Sequence, residues 1–207
     1  MTDSPRAATS LRAQLGAPAD PEFDLELPEG WQRRDASPET EQAMLQAARR
    51  RLMEAHRPDL FAQLRAELHE SFAAMRRMDA IAHFGPGPET PDTLFLPASL
   101  IATVRTPQPG VTLQQEMAEH IRQGATSLFG DRRFVRDERE LDQRIGTEAA
   151  TQRTVVYLTP IPGSRQARAL QLTLVITRGA ELPADDPALL GMLRLFDACV
   201  STLRWAR

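Results

Sequence analysis

The 207-residue chain is 42% hydrophobic, enough to bury a sizeable core, and its formal net charge of −3 gives no electrostatic case for nucleic acid or an anionic membrane surface. All 25 basic residues are arginine, which excludes chemistry that needs a lysine, such as a Schiff base or a P-loop. The lone Cys199 cannot form an internal disulfide, no apolar run approaches the ~20 residues of a membrane span, and no signal peptide or lipidation cysteine is read at the N-terminus.

The expectation is a soluble cytoplasmic protein. Lysine and asparagine are absent and tyrosine appears once. Their codons are rich in A and T, so the source reads as a GC-rich bacterium.

Residues 1–20 are rich in Ala, Ser, Thr and Pro without periodicity, and are expected to form a flexible tail. Residues 21–207 read as a single α+β domain. Phe23, Leu25 and Leu27 alternate with acids, as in a short half-buried strand. Pro28–Gly30 makes a turn, and Trp31 opens a return strand toward Arg34.

Ser37-Pro38-Glu39 is a helix start: a capping serine, a proline at the first helical position and an acid in the first turn. Leu45, Ala48, Leu52 and Ala55 share one face. Pro58 ends this helix and begins another, striped by Leu64, Leu68, Phe72 and Met75. Residues 38–78 are therefore an inserted helical pair. Ala80–Phe84 reads as a strand, Gly85–Pro91 as a loop and Thr93–Thr106 as an extended stretch. Thr112 and Gln115 fit a capping box, opening a helix along Leu113, Met117 and Ile121.

The clearest pattern follows. Arg132–Ile145 and Glu148–Leu158 read as strands across a tight turn at Gly146-Thr147. In 167–178, Leu170, Leu172, Leu174 and Ile176 fall on one face, the period of a strand buried on one side. The run Thr154–Leu158 is almost wholly apolar, as in a strand covered on both faces. Asp186-Pro187 caps a last helix striped by Leu189, Leu193, Phe196, Val200 and Leu203. Together these predict a twisted antiparallel sheet of about six to seven strands. Helices 112–123 and 187–204 are expected on one face, and the 38–78 pair over the other.

Leu27-Pro28-Glu29-Gly30-Trp31, Ile145-Gly146-Thr147-Glu148-Ala149 before the strand with Tyr157, and the last helix carry a family likeness. In this order of elements the chain resembles the PsbP-like α/β fold, which includes the actinobacterial LpqN-type proteins. It departs from the LpqN type in lacking a leader and an anchoring cysteine, and its 38–78 pair is larger than the family's connection. The resemblance implies a sheet with helices packed on it, acting as a binding or assembly module, and supplies no catalytic residues.

The candidate chemistry is sparse. His69-Glu70 begins like a zinc-protease helix, but Ala73 stands where the second histidine is needed. His56, His69, His83 and His120 have no ligand spacing. Cys199 lies beside an apolar stripe with no activating base nearby. Gly163-Ser164 lacks the flanks of a nucleophile elbow, and the prolines of Gly85-Pro86-Gly87-Pro88 remove the amide donors of a phosphate cradle. Arg132, Arg133, Arg136 and Arg139 are interspersed with acids, as on a solvated face.

No catalytic, metal or cofactor-binding residue is assigned, and no cofactor is expected. Trp31, Arg49, Arg50, His83, Tyr157 and Trp205 are the candidates for a pocket or interface. The leading reading is a non-enzymatic protein-binding or assembly module, in the manner of a secretion or envelope accessory factor. Its partner is a protein and neither nucleic acid nor membrane, and Trp205 near the chain's end admits a homodimer. The second reading is a small apolar-ligand binder, using a groove between the sheet and the 38–78 helices lined by Met44, Met53, Met75 and Met78. The third is an enzyme, which requires His83 or His120 within reach of a carboxylate in a cleft.

Overall fold

The computed structural model describes residues 20–54, 56, 59–87, 96–145 and 148–206. The tail expected before Asp20, the Pro58 break, most of the glycine–proline loop and the Gly146-Thr147 turn lie outside them.

The alternation over 170–176 becomes strand β8 (Ala169–Gly179), in which Leu170, Leu172, Leu174 and Ile176 are each at most 1% exposed. Successive residues of a strand face opposite sides, so one row of four apolar residues defines one buried face. β8 pairs antiparallel with β4 (Ala98–Arg105) and with β7 (Glu148–Pro160). The seven-stranded sheet has the order β2-β3-β4-β8-β7-β6-β5, with β2 Trp31–Arg34, β3 Ala82–Pro86, β5 Thr126–Leu128 and β6 Asp131–Ile145. All its pairings are antiparallel.

Four helices complete the described chain: α1 Pro38–Glu54, α2 Asp59–Arg77, α3 Leu113–Arg122 and α4 Pro187–Ser201. The capping box at Thr112 and Gln115 is present, and Asp186 caps α4 through the amides of Ala188 and Leu189. The last two long helices do not share a face, contrary to expectation. Arg136 stands opposite Tyr157 in the β6–β7 register, and both side chains reach Asp197 of α4. The next residue, Asp137, points the other way and meets His120 of α3. The cause is the doubly apolar run in β7. Val155 and Tyr157 join the α4 core, while Val156 and Leu158 pack with Met117 of α3, so each face needs its own helix.

The α1–α2 pair lies on the α3 side. Phe72 and Met75 are buried there, with Met44, Leu68 and Ile101 packed around them. Buried Glu41 of α1 fastens the pair: it accepts from Arg76 of α2 at 2.8 Å and lies 2.7 Å from Nδ1 of His69.

The N-terminal segments do not form a hairpin with each other. β1 (Phe23–Asp24) pairs with β9 (Arg204–Trp205), and β2 pairs with β3. Phe23 is 2% exposed and packs edge-on against both Phe84 and Trp205, so aromatic burial decides its partner. The last helix correspondingly stops at Ser201, short of the expected 204. The short β5 was not anticipated. Its turn into β6 holds Phe129 and Gly130 at φ 50° and 80°, a left-handed pair that asparagine or aspartate followed by glycine usually signals.

Leu172 is fully buried between the facing positions Ala102 and Tyr157. Leu172→Ala is expected to lower unfolding stability by about 2–5 kcal/mol in urea titration. A loss below about 1 kcal/mol would contradict this core.

Candidate functional site

Tyr157 is fully buried, and its hydroxyl donates to Asp197 Oδ1 at 2.6 Å. Burial pushes the phenol well above its usual range, and the Asp197 charge acts in the same direction. Arg136 Nε donates to the same oxygen at 2.8 Å. From there an alternating ladder crosses the α4 side of the sheet. Arg136 meets Glu138 at 2.6 Å, Glu138 meets Arg153 at 2.5 Å, Arg153 lies 3.6 Å from Glu140, and Glu140 lies 3.5 Å from Arg178. Burial alone would lower the Arg136 guanidinium, but Asp197 and Glu138 hold it above its ordinary value. Three acids and three arginines balance, so these groups act as a fastening. Arg136 is thus part of a half-buried network and not of a solvated face.

Trp31 is 8% exposed and stacks edge-on against Phe196 at 4.7 Å. Trp205 is half-buried over Phe23 at 6.0 Å. Both lie at the core and its margin. His83 is 8% exposed, edge-on to Phe72 at 6.3 Å, and its Nδ1 has no partner among the described residues. Burial first, and the Arg34 charge second, bring its imidazole down to about 4, so it is neutral at pH 7. Cys199 is buried, and burial raises its thiol further from ionisation.

His120 does reach a carboxylate. Its Nδ1 lies 3.1 Å from Asp137 Oδ2, which also accepts from Arg139 at 2.8 Å. The pair bridges α3 to β6 and lines none of the hollows described below. Among the described residues no group of three or more histidine, cysteine or acidic side chains could hold a metal ion. Among them too, no helix is long and apolar enough to cross a membrane.

Among the described residues two kinds of open place remain, hollows and a strand edge. The first kind includes a cleft of about 340 Å³ between α1, α2 and the β2–β3 end of the sheet. Met44, Ala47 and Ala48 of α1 and Leu64 and Leu68 of α2 wall it, and Arg34, Arg50 and Arg51 stand around it. Of the four methionines expected there only Met44 lines it. Met75 is 2% exposed in the core, and Met53 and Met78 are exposed at 42% and 53%. Arg49 lies outside, on the exposed side of α1. A hollow of about 480 Å³ beside α3 is lined by Gln108, Gly110, Val111, Gln115, Glu116, Glu119 and Arg122, and one of about 390 Å³ by Leu45, Ala62, Arg65, Ala66 and His69.

The second is the outer edge of β6. β5 pairs only with the Asp131–Arg136 end of that strand, while β7 pairs with it from Val135 to Ile145. Among the described residues no strand pairs with the outer edge from 137 to 143. That stretch is about 24 Å long at ~3.4 Å per residue. Sequence reasoning missed it because strand partners are set by register and not by periodicity. The only cue was that β6 is long.

No family model matches the chain, and no curated protein matches it. A solved structure with some similarity is that of the Saccharomyces cerevisiae Ran-binding protein Mog1p. It is 12% identical, covering 59% of this chain and 77% of that one, with a TM-score of 0.33. So loose an overlap carries no argument about fold detail or function.

Two measurements check these placements. His83 stays neutral in the folded chain down to about pH 4, whereas an unfolded histidine takes up its proton near 6.5. The unfolded state therefore binds more protons between those values. This share of stability is complete above pH 6.5 and is lost as the pH falls toward 4, by at most ~1.4 kcal/mol per pH unit. In urea midpoints measured against pH, His83→Gln should flatten that decline. Tyr157→Phe leaves Asp197 short of one donor in a buried setting. It should lower stability by about 1–3 kcal/mol in the same assay.

Proposed function

We propose that this chain is a non-enzymatic module that binds another polypeptide by adding it as a strand to the outer edge of β6. The outer edge of β6 from 137 to 143, with which no described strand pairs, is the observation that carries this reading. An edge offers a row of free backbone donors and acceptors, which supply affinity, while alternate side chains supply selectivity. On the α4 side the edge presents Glu140 and Asp142; on the other side Leu141 is 65% exposed. The fitting occupant is a strand with basic residues toward the acids and an apolar residue toward Leu141.

A second copy of this chain fits less well. The antiparallel register that overlaps the edge from 137 to 143 sets Glu140 against Glu140 of the copy and Glu138 against Asp142 twice, and like charges directly opposite are destabilising. The non-enzymatic part of the reading is supported by where the reactive candidates lie. Tyr157, His83 and Cys199 are all buried in packed surroundings. We further propose kinship with the PsbP-like fold and its LpqN-type proteins. Its support is the order of elements from the Pro-x-Gly-Trp turn through the long antiparallel strands to the last helix.

A peptide of alternating arginine and valine is the probe, read by amide hydrogen exchange. Protection is expected along 137–143, and Asp142→Arg should weaken binding up to about tenfold, replacing an attractive cross-strand pair of ~0.2–1 kcal/mol by a repulsive one. An alternating glutamate–valine peptide should bind poorly. Equal binding of both peptides, protection elsewhere, or self-association of the chain through this edge would each defeat the proposal.

A further inference from the structure

The cleft between α1, α2 and the β2–β3 end is a hollow kept open by residue size. Ala47 and Ala48 on α1 face the same space as Leu64 and Leu68 on α2, so one wall supplies bulk and the other withdraws it. Met44 and Leu68 are also packed against the minor core of Phe72 and Met75, so the hollow continues that core outward. Its walls are half-buried apolar side chains, which gain from contact with a hydrocarbon.

The charge around the cleft is of one sign. Arg34, Arg50 and Arg51 line it, and among the described residues no acidic one does. Arg34 donates to the carbonyls of Gly85 and Pro86 and to Gln32 Oε1, all neutral acceptors. Among the described residues neither Arg34 nor Arg50 forms an ion pair. Burial alone lowers the Arg34 guanidinium, as expected of a cation set among neutral partners. By contrast, every arginine of the β6–β8 ladder has an acid beside it. An apolar floor under guanidinium groups is the chemistry that receives an anion with a hydrocarbon tail.

We infer that this cleft binds a single-chain anionic amphiphile, a medium-chain fatty carboxylate, with its alkyl chain between α1 and α2 and its head group at Arg34 and Arg50. A volume of about 340 Å³ lies at the small end of ligand sites, which suits one short chain and not a two-chain lipid. The inference is independent of strand addition, because the cleft adjoins β2 at one end of the sheet and β6 lies toward the other. Either can fail without the other.

Isothermal titration with decanoate on the full chain tests it, beside decanol, decylammonium and acetate. Decanoate should bind at least tenfold more tightly than decanol, and decylammonium and acetate should not bind measurably. The head-group attraction should weaken with added salt. Arg50→Gln, an exposed change, should reduce decanoate affinity severalfold and leave decanol unchanged. Ala48→Phe should fill the cleft and abolish both, with circular dichroism reporting that the fold is kept. If that variant fails to fold, hydrogen exchange of the unaltered chain with decanoate should protect α1 and α2. Decanol binding as well as decanoate, indifference to Arg50→Gln, or protection away from α1 and α2 would overturn the assignment. So would sedimentation with phosphatidylglycerol vesicles in place of binding to free decanoate, since that makes the arginines a membrane contact.

Discussion

The structure turns on Asp197. It is the only acid within α4, and it accepts from both Tyr157 and Arg136, which face each other across β7 and β6. That position is a boundary. Toward β3, β4 and β8 the α4 side of the sheet is apolar, with Phe84, Leu100, Leu172 and Leu174 all nearly inaccessible. Toward β6 it is charged, through Arg136, Glu138, Glu140 and Asp142. An apolar helix could not lie across that change unless something neutralised the first charge it met. Asp197 does so, and the ladder carries the neutralisation on to Arg178. Removing one partner of such a pair leaves the other buried alone, typically at ~3–5 kcal/mol. The junction therefore fixes where the hydrophobic core ends.

Much of this was legible in the chain. The β8 row, the long β6 and β7, the capping box at Thr112 and the cap at Asp186 each rest on local rules that tertiary packing did not override. What was not legible depends on pairing. Alternation says which residues share a face but not which helix covers it, and so α3 and α4 were expected together. The strand at Phe23 was read from its alternation but not its partner, and the two-residue β9 has no period to detect. In β6 the sequence Arg136-Asp137-Glu138-Arg139-Glu140 is charged on both faces, so it reads as solvated. Only the register with β7 shows that Arg136 and Glu138 lie under the helix side while Arg139 is exposed. The α1–α2 cleft was foreseen in place but not in lining. Methionine spacing drew attention, whereas the space comes from Ala47 and Ala48.

The α1–α2 cleft and the open edge lie toward opposite ends of the strand order, one beside β2 and one on β6. Between them the sheet is occupied on both sides, by α4 on one and by α1–α2 and α3 on the other. The residues that look reactive in the sequence, Tyr157, His83 and Cys199, are spent on that occupation. The β6 edge offers backbone, and the α1–α2 cleft offers apolar wall beside positive charge.

The pairing of β1 with β9 has a consequence for how the chain assembles. It is reinforced by the Glu26 amide donating to Thr202 Oγ1, a contact between residues 176 positions apart. Closing so large a ring in an open coil would cost about 4–5 kcal/mol, more than two residue pairs return. Once the sheet and α4 are in place, the two segments are already neighbours and almost none of that penalty remains. The clasp is thus a late event, a latch that shuts only on a structure otherwise finished.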